Sequence, residues 1–318
     1  MDTPKLRIVF MGTPPLARES LAALLSVPDW QVVAVVTQPD RPKGRALACL
    51  PSPVKELALA HALPVLQPPK AREAAFLESL RAYAPDLIVV AAYGHILPPA
   101  ILELPRFGCL NVHTSLLPKY RGAAPIQWAI AHGETETGVT IMQMDAGMDT
   151  GGIVAQQATP IAPEDDSQTL HDRLAALGAA LLVATIPGYV GGELPARPQP
   201  AEGASHAPKV TKADGHIAWN VPARTLWNRL RAFTPWPGAY TFPHPPAKSQ
   251  MLKLWHAEVV ESAAGQPGEV LSADKSGILV ACGTGALRVL ELQPEGGRRM
   301  KVQDFLAGHA VPPGTTLG

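Results

Sequence analysis

The N-terminal part of the chain alternates short runs of aliphatic and β-branched residues with stretches whose apolar positions recur every three or four residues. Continuous apolar runs suit strands buried on both faces, and the intervening helical period suits crossover helices, so the pattern predicts an open, mostly parallel Rossmann-like sheet in an α/β domain. Strands are expected at Leu6–Phe10, Gln31–Thr37, Asp86–Ala92, Cys109–His113 and Val139–Met144. Pro14-Pro15 is placed to open a first helix, on which Leu16, Ser20, Leu21, Leu24 and Leu25 share a face, because proline at the first helical position loses no hydrogen bond. Further helices are expected around Pro53–Ala60, Arg72–Tyr83, Ala124–His132 and Gln168–Ile186.

The pattern breaks over residues 190–208, which hold four prolines and three glycines and no hydrophobic period, as a linker would. Beyond it a helix is expected over Ala223–Phe233, with Leu226, Trp227, Leu230 and Phe233 forming a core stripe. Alternating runs at Leu252–Val260, Gly268–Ser272, Gly277–Ala281 and Leu287–Leu292 then predict a small OB-like β-barrel. The expected organisation is a catalytic domain over 1–189, a linker over 190–208 and a second, smaller C-terminal domain over 209–318.

At 318 residues and 47% hydrophobic composition the chain can bury two cores. Its 27 basic and 27 acidic residues balance, but not evenly. From His206 onward there are 12 basic and 8 acidic residues, so the C-terminal part carries +4 and residues 1–205 carry −4. A nucleic-acid surface is therefore to be sought in the C-terminal part, where Arg298, Arg299 and Lys301 also lie. Cys49, Cys109 and Cys282 are far apart and form no CxxC pair, which fits a reducing cytoplasm. The ten histidines include no H-x-x-x-H pair, and no metal is expected. The first strand starts too early for a secretory leader, and no apolar run is expected to be long enough to span a bilayer.

The densest polar cluster on an apolar background is the string Asn111 to Gly122, NVHTSLLPKYRG. In an open parallel sheet the crevice lies at the carboxyl ends of the strands, where Asn111 and His113 sit, and a separation of two places both on one face. An amide donor beside an imidazole suits acyl transfer, which needs a stabilised oxyanion and the movement of one proton. The glycine-punctuated loop Asp145-Ala146-Gly147-Met148-Asp149-Thr150-Gly151 offers two carboxylates, either of which could orient the imidazole. Gly12-Thr13-Pro14 follows the first strand, but one glycine is not the fingerprint of a dinucleotide site, which weighs against a dehydrogenase.

The string N-V-H-x-S-L-L-P-x-x-R-G over 111–122, followed by D-x-G-M-D-T-G over 145–151, resembles the signature of the 10-formyltetrahydrofolate-dependent formyltransferases. The resemblance implies a catalytic set falling on Asn111, His113 and Asp149. It implies a folate co-substrate contacted by Ser115, Leu116, Leu117 and Pro118, and we expect the segment containing Tyr93, Gly94 and Ile96 to wall the pterin. Longer strings extend the similarity over nearly the whole chain: T-Q-P-D-R-P from Thr37, P-S-P-V-K from Pro51, G-A-A-P-I-Q-W from Gly122 and R-A-F-x-P-W-P from Arg231. Within the family these are most similar to the enzymes that formylate methionine carried on initiator tRNA, which implies a cytoplasmic enzyme, here expected to be monomeric. The resemblance places the tRNA-reading loop at Arg41, Lys43 and Arg45, three cations on a Pro/Gly-punctuated segment able to follow a phosphate backbone. The chain departs from the family after Arg45, with Ala46-Leu47-Ala48 where glycine and lysines often continue. Relatives acting on glycinamide ribonucleotide or an amino sugar nucleotide give no reason for both this loop and a basic C-terminal domain.

Overall fold

The computed structural model describes residues 5–43, 48–244 and 251–318, with only the backbone path given for 41–43, 48, 49 and 244. The chain forms two compact units, one of Met1–Pro125, Glu136–Pro160 and His171–Pro208, the other of Ile126–Thr135, Ile161–Leu170 and Lys209–Gly318.

The first unit is built on a seven-stranded sheet in the spatial order Ile153–Pro160, Glu136–Gln143, Cys109–His113, Leu87–Ala91, Leu6–Gly12, Trp30–Val36 and Val65–Leu66. From Cys109–His113 to Val65–Leu66 every pairing is parallel, with Ile8 opposite both Val32 and Leu87. These are the near-continuous apolar runs: Ile8 to Met11, Val32 to Val36 and Leu87 to Ala91 are buried throughout, as expected where helices cover both faces. The two remaining strands turn antiparallel at the edge. Ile153–Pro160 carries exposed Gln156 and Gln157 and no apolar alternation, so its pairing is set by its neighbour rather than by its own pattern.

The helix Pro15–Leu25 starts with proline in its first turn and buries Leu16, Ala17, Ser20, Leu21 and Leu24, the expected face without Leu25. Pro53–Ala60 is capped by Ser52, whose Oγ accepts the Lys55 N–H at 3.1 Å. Ser167–Val190 is, by length and composition, apolar enough to cross a bilayer, which corrects the expectation that no such run exists. Its Leu174, Ala175, Ala179, Leu182 and Ile186 are buried within the protein. Gly178 lets this helix approach the sheet closely, since a Cβ there would lie 2.9 Å from Val112 Cγ1.

The second unit is an antiparallel β domain. Ala239–Thr241, Leu252–Val260, Ala286–Pro294, Gly277–Ala281 and Val270–Asp274 are neighbours in that order, and Met300–Lys301 adds to Ala286–Pro294. Thr316–Leu317 pairs with Pro243–His244 on one side and, through Thr316, bridges Glu269 on the other. Leu317 N–H donates to Gly268 O at 2.8 Å, so the last residues close the sheet on itself. Inside, Leu226 and Leu230 of the helix Ala223–Ala232 pack with Leu254, Val280, Leu287 and Phe305, while Trp227 is only partly buried. The buried Trp219 indole N–H is satisfied by Thr241 Oγ1 at 2.9 Å.

Candidate active site

The strand Cys109–His113 is buried along its whole length, wedged between parallel Leu87–Ala91 and antiparallel Glu136–Gln143. At its carboxyl end Asn111 and His113 open onto a cavity of about 430 Å³, whose wall also includes Tyr93, His95, Ile96 and Asp149. That volume lies within the range of small-molecule sites.

His113 is oriented through both ring nitrogens. Nε2 lies 3.0 Å from Tyr120 O, and because a carbonyl only accepts, Nε2 carries the proton in that contact. Nδ1 faces Asp149 Oδ2 at 3.7 Å, an ion-pair distance and not a hydrogen bond. Neutral His113 therefore presents an unprotonated Nδ1 beside a carboxylate, able to take a proton and hold it.

Asp149 owes its place to its loop. It adopts φ +53°, a left-handed conformation that Asp tolerates better than most residues. Its Oδ2 accepts the Gly122 N–H at 2.8 Å. The adjoining Gly151 is packed so tightly that a Cβ would lie 1.8 Å from Gln143 O, leaving glycine alone at that point. Of the two carboxylates left open by the sequence, Asp145 serves its own turn: Oδ1 accepts Gly147 N–H at 3.0 Å and the Thr150 hydroxyl at 2.7 Å.

Residues 190–208, which carry no sequence period, run back over this unit and complete the site. Gln199 Oε1 accepts two donors of Arg121, at 3.0 and 2.7 Å, and its Nε2 donates to Asp149 O and Gly151 O, both at 2.8 Å. Ser205 Oγ accepts Tyr120 N–H at 2.9 Å, and His206–Ala207 pairs in parallel with Arg121–Gly122. Gly122, at φ +124°, admits this pairing because a Cβ would lie 2.6 Å from Ala207 O. Gln199 and Ser205 were not identified from sequence.

Among the expected folate contacts, Tyr93, Gly94 and Ile96 line the cavity, whereas Ser115, Leu116, Leu117 and Pro118 do not. Ser115 and Leu117 are buried. The Ser115 hydroxyl donates to Lys119 O at 2.6 Å, and Thr140 Oγ1 donates to Ser115 O and accepts Leu117 N–H, so the segment buttresses the turn carrying Tyr120. In the wall, Tyr93 Oη and His95 Nδ1 are buried without a hydrogen-bond partner. Burial pushes the Tyr93 phenol up to about 12, so it stays a donor. Ile96 is 71% and Met148 58% exposed on the same lining. Arg41–Lys43 forms a two-stranded hairpin with Ala48–Leu50, Arg41 opposite Leu50; Arg45 lies outside the described residues. Among the described residues, no group of three or more His, Cys, Asp or Glu gathers in a way that could hold a metal ion.

Comparison with known proteins gives these features their context. The Formyl transferase family model matches residues 6–186 and that of the Formyl transferase, C-terminal domain, matches residues 209–310, so the chain has the two-part organisation of a formyl-transferring enzyme. It is 54% identical over 309 residues to the methionyl-tRNA formyltransferase of Myxococcus xanthus, covering 97% of each chain, and 50% identical to that of Citrifermentans bemidjiense, covering 98% of this chain and 96% of the other. The chain belongs to the methionyl-tRNA formyltransferase family. The fold is also that of the N-formyltransferase from Helicobacter canadensis, solved with folinic acid and dTDP-3-aminofucose, at TM-score 0.66, 17% identity, and coverage of 93% of this chain and 100% of that one.

Proposed function

We propose that the chain transfers the formyl group of 10-formyltetrahydrofolate to the α-amino group of methionine carried on initiator tRNA, acting as a cytoplasmic monomer, with Asn111, His113 and Asp149 as the catalytic set. The observation that carries this reading is the convergence of a carboxamide, an imidazole and a carboxylate on one cavity, with His113 Nδ1 3.7 Å from Asp149 Oδ2.

The amine attacks the formyl carbon, forming a C–N bond while the carbonyl pair moves onto oxygen. The Asn111 amide donates a hydrogen bond to that oxygen as charge develops, in a buried setting that strengthens the interaction. His113 Nδ1 takes the proton released by the attacking nitrogen and returns it to the departing nitrogen of the donor as the original C–N bond breaks. Asp149 stabilises the imidazolium in between. The wall suits a folate: Tyr93, Gly94 and His95 line the cavity, and Ile96 and Met148, 71% and 58% exposed, offer apolar surface to a pterin. The Ser115–Pro118 segment, which also holds the Tyr120 turn, is assigned to the donor by the family signature it belongs to. The relatives named for action on methionyl-tRNA support the acceptor, as do the cations Arg41, Lys43 and Arg45.

Incubation of the purified protein with methionyl initiator tRNA and 10-formyltetrahydrofolate, followed by mass analysis of the aminoacyl ester, tests the assignment. N-formylmethionine is the expected product; an unmodified ester would overturn it.

A further inference from the structure

A chain of hydrogen bonds links the base of the paired strands Arg41–Lys43 and Ala48–Leu50 to the cavity wall. Both ends of the hairpin are tied to one framework: before it, Thr37 Oγ1 lies 2.8 Å from Ser52 Oγ, the helix cap that follows it. Lys55 Nζ donates to Asp40 Oδ2 at 2.5 Å and to Gln67 Oε1 at 2.8 Å. The Gln67 amide donates in turn to Asp40 Oδ1 and to Gln38 O, both at 2.9 Å. The Gln38 side chain points the other way, its Nε2 donating to Tyr93 O at 3.0 Å. Gly94, at φ +82°, leaves room for that amide, since a Cβ would lie 3.1 Å from Gln38 Nε2.

We propose that Gln38 is a positioning residue: its main chain belongs to the hairpin base, its side chain fixes the Tyr93–Ile96 wall, and the donor site is thereby held in register with the segment that approaches the RNA. The inference rests on the functional reading above, in which the wall holds folate and the segment that includes Arg41, Lys43 and Arg45 contacts the RNA. Tyr93 O points towards Gln38 and not into the cavity's chemistry, so Gln38 touches neither substrate and acts only through the loop. A hydrogen bond of this kind is modest alone, and its loss is read as weaker ground-state binding rather than as a slower chemical step.

The test uses the full chain and tetrahydrofolate as probe, by calorimetric titration of wild type, Gln38→Leu, Gln38→Glu, Gln67→Leu and the Gln38→Leu/Gln67→Leu double variant. Gln38→Leu is expected to raise the tetrahydrofolate Kd by about tenfold, the size of one such bond. Gln38→Glu should do at least as much, because it sets a carboxylate against the Tyr93 carbonyl. The double variant should show less than the product of the single effects, as for residues in one network. In turnover, the donor KM should rise while kcat stays within about twofold. An unchanged Kd in both Gln38 variants, or a fall in kcat at constant KM, overturns the inference while leaving the function intact. Failure of the wild type to bind tetrahydrofolate overturns the functional reading and the inference with it. Gln38→Asn, whose amide is too short to reach Tyr93 O, carries the same expectation if leucine prevents folding.

Discussion

The Asp149 oxygen that faces His113 Nδ1 at 3.7 Å is the same oxygen that accepts the Gly122 N–H at 2.8 Å. One carboxylate thus meets the imidazole while main chain fixes its direction, and its charge is separable from its shape. Asp149→Asn keeps size and can keep the Gly122 contact, but removes the charge that stabilises imidazolium in the proposed reaction. It should lower kcat by about 10²–10⁴, the usual scale of acid–base assistance, with stability altered by less than about 1 kcal/mol. Rate and urea midpoint measured on the same preparation check this; turnover within a few-fold of wild type would remove Asp149 from the mechanism.

Asn111 has a different task. In the proposed reaction its amide donates to an oxygen that gains charge only as the amine attacks, so Asn111→Ala should cost about 2.7–4 kcal/mol in the barrier, or ~10²–10³ in kcat, with KM values little changed. A variant with raised KM and normal kcat would make Asn111 a binding residue instead.

Gln199 holds the Asp149 loop from outside, donating to the carbonyls of Asp149 and Gly151 while accepting from Arg121. Gln199→Leu should lower kcat by about tenfold, equivalent to about 1.4 kcal/mol. Gln199→Glu keeps the Arg121 contact but opposes a carboxylate oxygen to two carbonyls, and should be slower still. Equal activity of the two variants would show that the amide donor is not what places Asp149.

These cases show what the sequence could and could not carry. The strand Cys109–His113 was legible to the residue because an apolar run ends on two polar residues of one face, at the end of a parallel strand where sites form. The choice of Asp149 over Asp145 needed the family resemblance, because spacing cannot say which carboxylate is consumed by its own turn. Gln199 was illegible: a Pro/Gly-rich stretch has no period, and its partners lie 48 to 78 positions away. The segment Ser115–Pro118 is expected to touch the donor, but its sequence does not show that the Ser115 hydroxyl donates to Lys119 O or that Ser115 O accepts from Thr140 on the strand Glu136–Gln143. Thr316–Leu317 is too short for any alternation, yet it closes the C-terminal sheet.

Arg231, in the R-A-F-x-P-W-P string, has a structural role of its own. Its Nη1 donates to Ala162 O, Pro163 O and Asp165 O at 3.0, 3.1 and 3.0 Å, its Nη2 to Asn228 Oδ1 at 3.1 Å, and the guanidinium carbon lies 3.9 Å from the Trp227 ring centroid. Burial lowers its pKa, opposed by Asp165. A lysine cannot reproduce a planar set of donors that also stacks, so Arg231→Lys should destabilise the fold by about 1.5–3 kcal/mol. Urea unfolding checks this through a lower midpoint at unchanged slope. An unchanged midpoint would mean that the three carbonyls find water or lysine as readily.

If Arg41, Lys43 and Arg45 lie against the backbone of the acceptor RNA, each displaces condensed counterions, and the logarithm of the binding constant should fall linearly with the logarithm of salt concentration. Replacing Arg45 by alanine should then flatten the slope by about 0.7–0.9, and replacing all three by about 2–3. Arg45→Lys separates charge from geometry. It should keep the slope, because the charge is retained, yet weaken binding at every salt concentration if the planar guanidinium stacks on a base or grips a phosphate with two donors. Filter binding or fluorescence titration of methionyl-tRNA over a range of salt concentrations distinguishes these outcomes. A slope unchanged in the triple variant would remove these three cations from the RNA interface and leave the +4 C-terminal part to account for the electrostatic attraction.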